Sequence, residues 1–143
     1  MPIQIYRATD RIPFKIGDSV FYLSPLTYQQ KIDFSSAQSS ESGDVQVNVL
    51  DGAFKAIKFS VKDISGIEYA DGKPYKLQFK EGVLTDECVG DLLNMDATNK
   101  LIMCCASVCR SQYTDVTDPT TGEPIEGIEV LPVNSKRGVK KKA

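Results

Sequence analysis

Residues 12 to 23, IPFKIGDSVFYL, constrain the fold more than any other part of the chain. Apolar residues alternate with other residues on both sides of Gly17-Asp18. A Gly-Asp pair between two β-rich runs is typical of a tight antiparallel hairpin. Ser24 and Pro25 follow the second run, and proline cannot donate to a strand ladder. The sequence therefore predicts a β-hairpin over residues 12 to 24.

Two helices are predicted after this hairpin. Thr27 is a suitable cap for a helix from Tyr28 to about Ala37. The small polar residues 35–44 predict a flexible loop. The next segment is ambiguous, because three valines alternate as in a strand while apolar residues also recur at helical spacing. The helical pattern is longer and Asp44 can cap it, which favours a helix over about 47–59.

A second hairpin is predicted over residues 64 to 80. Apolar residues alternate on both sides of the turn at 70–74, which contains Asp71 and Gly72. An Asp-Gly turn between alternating apolar runs is a good hairpin signal. The alternating residues are Ile67, Tyr69, Tyr75, Leu77 and Phe79.

Two further helices complete the predicted domain. Thr85 is followed by Asp86 and Glu87, which places a hydroxyl cap and two carboxylates in the first turn of a helix that runs to about Met95. We expect Asp96 to cap the next helix, which is amphipathic and ends near Gln112. The apolar positions of that helix recur every three or four residues: Ala97, Leu101, Cys104 or Cys105, and Val108.

The chain after residue 112 differs in composition. It holds three of the seven prolines and three of the ten glycines, and only 125–133 has the character of an edge strand. We therefore divide the chain into a globular domain, 1–112, and an extended arm with a basic tail, 113–143. The fold class is α+β, with two β-hairpins packed against three to four helices, because strands and helices do not alternate as βαβ units.

The absence of histidine argues against catalysis. The chain has no histidine, which excludes Ser-His-Asp and Cys-His schemes and most zinc and iron sites. The carboxylates of Asp86, Glu87 and Asp96 are accounted for at helix starts, and Asp91 has no partner base nearby. The acidic run 115–126 lacks the regular spacing of a calcium loop and is interpreted as a solvated turn. We predict no catalytic residue, cofactor or metal.

The four cysteines have a structural interpretation. They are Cys88, Cys104, Cys105 and Cys109. Tetrahedral metal sites usually draw on two C-x-x-C pairs, whereas here one cysteine stands alone and three share a helix. Adjacent cysteines point about 100° apart on a helix, as its 3.6-residue turn requires. We therefore expect reduced thiols that act as small buried apolar groups.

Charge is distributed unevenly. The last eight residues carry +5, which leaves −7 on residues 1–135. An acidic body repels nucleic acid, so any such contact would be weak and would use the tail. No stretch is apolar enough to cross a bilayer, and the start lacks the apolar run of a secretory signal. The basic tail residues are Lys136, Arg137, Lys140, Lys141 and Lys142.

The order of these elements resembles the tail assembly chaperones of long-tailed bacteriophages. The resemblance covers about residues 12 to 112: a strand pair ending in F-x-L-x-P-L-T, a helix, a polar insert, an apolar helix, a D-G-x-P hairpin and a helix of the form T-x-E-x-x-x-x-L. The first of these motifs is formed by Phe21, Leu23, Pro25, Leu26 and Thr27.

The resemblance implies a non-enzymatic protein of the host cell cytoplasm. Such a protein binds the tape-measure protein, keeps its apolar helices soluble and recruits tail-tube subunits. Exposed strand edges and the last amphipathic helix would receive partner segments by strand addition or helix packing. The residues expected to face partners are Val20, Tyr22, Leu77, Leu101 and Val108.

Two features depart from that family, namely the arm after residue 112 and the number of cysteines. A long arm suits a structural virion protein, such as a tail, neck or capsid-decorating subunit, held to neighbouring subunits by symmetric contacts. This is the main alternative. A small nucleic-acid or metal-binding accessory protein is a third possibility, and the acidic body argues against it.

Overall fold

The fold is organised around a four-stranded antiparallel sheet with the strand order β3-β2-β1-β6. The structure, a computed structural model, describes residues 3–38, 45–117 and 121–133, without the side chains of 35–38 and 45–51. Its elements are β1 (Ile12–Ile16), β2 (Ser19–Leu23), α1 (Tyr28–Gln38), α2 (Val45–Ser60), β3 (Val61–Ser65), β4 (Phe79–Lys80), β5 (Val83–Leu84), α3 (Asp86–Leu93), α4 (Thr98–Cys109) and β6 (Ile128–Val130). The predicted α+β fold class is confirmed.

The first predicted hairpin is confirmed. Strands β1 and β2 pair in a continuous antiparallel register that sets Phe14 opposite Phe21. Gly17 turns the chain with φ of 60°, a value that costs glycine little. Strand β3 pairs with the other edge of β2 through an irregularity between Tyr22 and Leu23. The hairpin predicted over 12–24 therefore forms the two adjacent inner strands of the sheet.

Helices α1 and α2 lie where helices are predicted, with different ends. The Thr27 hydroxyl accepts from the Gln30 N–H, and the Gln30 side chain accepts from the Thr27 N–H, which is a reciprocal capping box. Helix α1 continues to Gln38, so residues 35–38 are helical and the predicted loop begins too early. Residues 39–44, with the expected cap Asp44, lie outside the described part of the chain. Helix α2 is slightly longer at both ends than predicted.

The second predicted hairpin is shorter and less regular than expected. Its first two residues, 64 and 65, belong to β3, which begins before the predicted hairpin, at Val61. Beyond them the described backbone has one bridge, between Glu68 and Pro74, with the Tyr69 N–H donating to the Lys73 carbonyl at 2.8 Å. A separate small hairpin, β4–β5, follows and was not predicted.

The caps of α3 and α4 differ. The Thr85 side chain accepts from the Cys88 N–H, as predicted, and α3 ends at Leu93, before Met95. The expected cap at Asp96 is wrong, because α4 begins at Thr98 after a left-handed Ala97 with φ of 61° and no side-chain cap. The Thr98 hydroxyl instead donates to the Leu92 carbonyl at 2.9 Å. Helix α4 also ends at Cys109, earlier than expected.

The described residues after 112 return to the globular body. Strand β6 pairs with β1, and the Leu131 N–H continues the pairing by donating to the Pro13 carbonyl. Val116 lies in the main core. The edge strand predicted within 125–133 is therefore present, while the division of the chain at residue 112 stays a prediction.

The main core lies between one face of the sheet and the helices. Phe14 and Phe21 project from the sheet into the same cluster as Ile57 of α2 and Leu101 of α4. All four side chains are almost completely buried. Each buried apolar side chain of this size contributes about 1.5–3 kcal/mol relative to exposure, so this cluster is the main source of stability.

Candidate functional site

A concave site of about 340 Å³ lies between the 67–75 turn and the C-terminal end of α3. The turn approaches α3 because the half-buried Tyr75 reaches across to it. We call this site the Tyr75 cavity. It is lined by Ile67, Glu68, Tyr69, Ala70, Tyr75, Asp91, Leu92, Asn94, Met95 and Asp96.

Tyr75 holds the cavity together. Its hydroxyl lies 2.7 Å from an Asp91 carboxylate oxygen, to which it donates, and 3.3 Å from the Cys88 sulfur. Burial, followed by these two hydrogen-bonded neighbours, raises the pKa of Tyr75 well above its ordinary value. The hydroxyl therefore stays protonated and acts as a fixed donor. The Tyr69 ring meets the Tyr75 ring edge-on, with centroids 5.0 Å apart.

The cavity is acidic. Three of its lining residues carry carboxylates, namely Glu68, Asp91 and Asp96, and none of its described lining residues is basic. The described side chains form no ion pair with these carboxylates. Carboxylates next to aromatic and aliphatic surface are suited to holding a cation that has an apolar stem. The raised pKa of Tyr75 makes that hydroxyl unsuitable as a base.

A second surface is apolar. Ile3 and Ile5 are 96% and 85% exposed, and on α1 Tyr28 and Ile32 are 81% and 40% exposed. Tyr28 and Ile32 are one helical turn apart and share a face. We call these four residues the N-terminal apolar surface.

The 111–113 turn contacts both segments that carry these exposed residues. The Lys31 ammonium of α1 donates to the Ser111 hydroxyl at 2.7 Å. Tyr6, next to Ile5, packs on Tyr113 with ring centroids 4.5 Å apart. Helix α1 and the N-terminal segment therefore both contact the 111–113 turn.

Most residues predicted to face partners are inaccessible. Strand β2 is paired on both sides, so the expected exposed edge near Val20 is wrong, and Val20 and Tyr22 are buried. Leu101 and Val108 are completely buried, because the apolar face of α4 packs into the core. Leu77 is half-buried against that core. The basic tail lies outside the described residues.

The predicted burial of the cysteines is confirmed. All four are free and buried. Burial raises the pKa of Cys105 to about 12 and raises the pKa values of Cys104 and Cys109 further, so these thiols are poor nucleophiles. Within the described ranges, no group of three His, Cys, Asp or Glu side chains is placed to hold a metal ion.

Both surfaces were missed by the sequence interpretation. Two tyrosines flanking an Asp-Gly turn, and two aspartates five positions apart near a helix end, are the only signals of the Tyr75 cavity. Such signals do not specify which elements meet. The exposed isoleucines at positions 3 and 5 precede every predicted element.

No protein-family model, curated protein or solved structure matches this chain. Among the helices of the described residues, none combines the length and apolar character that crossing a membrane requires. The function is therefore inferred from the two surfaces and from the sequence resemblance.

Proposed function

We propose that this chain is a non-catalytic tail assembly chaperone of a long-tailed bacteriophage. It binds the tape-measure protein in the host cytoplasm and recruits tail-tube subunits. The proposal combines the order of sequence elements over residues 12–112 with a binding surface different from the one expected. That surface is the N-terminal apolar surface, not the buried face of α4.

The observation that carries the proposal is the exposure of Tyr28 and Ile32 on one face of α1. Ile3 and Ile5 are also exposed, in a segment that contacts the same 111–113 turn as α1. Large apolar side chains that are exposed together on one helix face favour contact with another apolar surface. A tape-measure protein offers long apolar helices, and an amphipathic helix is recognised through apolar residues at this spacing. Covering those helices would keep them soluble until the tube forms.

The test is co-expression with the tape-measure protein of the same phage, measuring its soluble fraction and co-purification. The double variant Tyr28→Ser/Ile32→Ser removes exposed side chains and leaves the core intact. Loss of a contact worth about 1 kcal/mol or more weakens binding roughly fivefold. Tyr69→Ser is the matched control, because Tyr69 is also exposed but lies in the Tyr75 cavity.

Equal co-purification of both variants would refute the apolar surface as the binding site. Failure of the wild-type chain to solubilise or bind the tape-measure protein would refute the function itself. Mass spectrometry of intact particles separates the structural alternative, since a chaperone is absent from the finished particle. Stoichiometric presence would identify a structural virion protein instead.

A further inference from the structure

The outer face of the four-stranded sheet, which is the face turned away from the main core, carries buried side chains. Successive side chains of a strand point to opposite faces of the sheet. On β2, Phe21 belongs to the main core cluster, so its neighbours Val20 and Tyr22 point to the outer face. They are nevertheless only 2% and 5% exposed in a single chain, and neither belongs to that cluster.

The described helices do not account for this burial. All four of them place buried side chains in the main core cluster, on the other face of the sheet. The second face of an antiparallel sheet lies in water unless something packs on it. The low exposure of Val20 and Tyr22 therefore requires that another part of the same chain covers them.

The Tyr22 hydroxyl indicates the chemistry of this cover. It is buried and has no hydrogen-bond partner among the described residues, although buried polar groups in folded proteins are nearly always paired. Tyr22 lies opposite Asp63 of β3, whose exposed carboxylate forms no ion pair with a described residue. Burial, and then the nearby Asp63 carboxylate, raises the pKa of Tyr22, so its hydroxyl is neutral. A lysine ammonium carries three donors and can serve the hydroxyl oxygen and the carboxylate together.

The residues that follow β6 are placed to supply this cation. Leu131, whose N–H donates to the Pro13 carbonyl, is also buried outside the main core cluster, so the chain leaves the sheet beside its outer face. Strand β2 is two strands away from β6, which is about 10 Å at the usual spacing. An extended chain advances about 3.3 Å per residue, so the residues from Lys136 onward can reach Tyr22.

We propose that the basic tail of the same chain, 136–142, lies across the outer face of the sheet, where a lysine ammonium donates to the Tyr22 hydroxyl and pairs with Asp63. The methylene stems of its lysine side chains cover the apolar surface of Val20 and Tyr22. The same chain is the source because the two side chains are already inaccessible without a second copy. This contact does not depend on the proposed function, since it involves no tape-measure protein.

The charges on the path of the tail agree with this placement. Glu129 of β6 pairs with Lys15 of β1, and both point to the outer face. Glu129 is exposed and adds a second carboxylate beside the tail. The Lys15 ammonium is turned to the end of the hairpin, where it donates to the Gly17 carbonyl at 2.6 Å. Residues 1–135 carry a net charge of −7, which also attracts a basic segment.

The first test is zero-length cross-linking of the full chain with a carbodiimide, which joins a carboxylate to an amine that touches it. Mass spectrometry is expected to find Asp63 joined to a lysine of the basic tail more often than other exposed carboxylates, such as Glu87 and Glu123. A mixture of isotope-labelled and unlabelled chains identifies the source of the lysine. A link within one chain gives no mixed-mass product.

The second test asks whether the Tyr22 hydroxyl has a charged donor. Tyr22→Phe removes only that hydroxyl. A hydrogen bond to a charged group is stronger than one between neutral groups, so we expect the equilibrium constant for folding to fall about tenfold. An unpaired hydroxyl would instead make the substitution neutral or stabilising. Urea unfolding measures the change.

The tail variant removes the proposed donor, and it carries Lys136→Gln, Arg137→Gln, Lys140→Gln, Lys141→Gln and Lys142→Gln. In this background Tyr22→Phe is expected to change the folding constant by less than about twofold, as for an ordinary surface substitution. A matched control loses the same charge from exposed basic residues elsewhere, through Arg7→Gln, Lys73→Gln, Lys76→Gln, Lys80→Gln and Arg110→Gln. In the control, Tyr22→Phe is expected to keep its tenfold effect, and circular dichroism checks that every variant is folded.

Three results would overturn the proposal. One is cross-links of the tail spread evenly over the exposed carboxylates, which would show that it has no fixed position. Another is a mixed-mass Asp63 link, which would place the tail on a second copy. The third is an effect of Tyr22→Phe that is the same in the wild-type and tail-variant backgrounds.

Discussion

The β1–β2 hairpin and the 67–75 turn are two chain reversals with contrasting surroundings. In the first, five residue pairs form a continuous ladder, and the flanking strands β3 and β6 pair with its outer edges. In the second, a single bridge joins Glu68 to Pro74, and most of the turn is exposed. Both turns contain a glycine with positive φ, Gly17 at 60° and Gly72 at 93°.

The difference shows that turn residues are enough to reverse the chain, whereas a long strand pair forms only where its side chains are buried. Phe14 and Phe21 face each other in the core, so every further residue pair adds buried apolar area. The 67–75 turn is held instead by Tyr75, whose hydroxyl bonds to α3. The first reversal is part of the stable framework, and the second is a surface feature available for binding.

The largest expected effect is that of a substitution in the core beneath the β1–β2 hairpin. Phe14 is completely buried, and replacing a buried phenylalanine by alanine costs about 3–5 kcal/mol through lost transfer energy and the cavity left behind. We expect Phe14→Ala to lower the free energy of unfolding in urea by that amount. A loss below about 1 kcal/mol, as for an ordinary surface change, would remove the distinction between the two regions.

The buried thiols of α4 make the free energy of unfolding depend on pH. An unfolded cysteine has a pKa of about 8.5, and burial raises the pKa of Cys105 to about 12. The neutral thiol is therefore favoured in the folded state. Its stabilising contribution is complete below about pH 8.5 and is lost as the pH rises, approaching about 1.4 kcal/mol per pH unit for each such thiol.

We expect the free energy of unfolding to fall between pH 8.5 and 10, and to fall less steeply in Cys105→Ala. This window lies between the ordinary thiol pKa of about 8.5 and the ordinary tyrosine pKa of about 10. Urea unfolding at several pH values measures both slopes. An identical slope in the variant would show that Cys105 does not contribute.

A smaller effect on stability is expected where the 67–75 turn is attached to α3. Tyr75→Phe keeps the ring and removes the hydroxyl that lies 2.7 Å from Asp91. Loss of one hydrogen bond costs about 1 kcal/mol, and hydrogen exchange at the Tyr69 N–H should become faster. Tyr69→Phe is the matched control, since no described residue bonds to its hydroxyl. Equal effects of the two variants would contradict the anchoring role of Tyr75.

The smallest effect is expected at the exposed side of the second reversal. Tyr69 is 51% exposed, and its ring meets the Tyr75 ring edge-on, a kind of contact that contributes about 0.5–1.5 kcal/mol. Because half of the side chain is exposed, we expect Tyr69→Ser to lower the free energy of unfolding by an amount at the lower end of that range. A loss of unfolding free energy comparable with that of Phe14→Ala would mean that the 67–75 turn is part of the main core.

Local signals predicted those elements whose partners are close in sequence. The β1–β2 hairpin, the Thr85 cap of α3 and the helical pattern of α2 all depend on residues a few positions apart. Strand β3 was missed because its pairing with β2 joins residues about 40 positions apart, and only the tertiary fold makes that pair. Asp96 failed as a cap because Thr98 bonds back to Leu92, which holds the α3–α4 turn in another geometry.

The candidate site was less predictable than the fold. Hydrophobic residues such as Val20 and Leu101 were expected to meet partners because apolar patterning marks a face that must be covered. Apolar patterning does not show whether that face is covered by the same chain or by a partner. Tyr28 and Ile32 are exposed because α1 packs on α2 with its other side. That choice depends on helix packing, which a single sequence does not reveal.

The pairing of β6 with β1 also governs how the chain can fold as it leaves the ribosome. Val130 pairs with Phe14, more than 100 positions earlier. Until β6 has been synthesised, one edge of β1 exposes unpaired N–H and C=O groups, which are a template for wrong strand partners. Closing the sheet must be a late and slow step, since contacts between distant residues delay folding. Misassembly is most probable in the interval before residues 128–130 arrive.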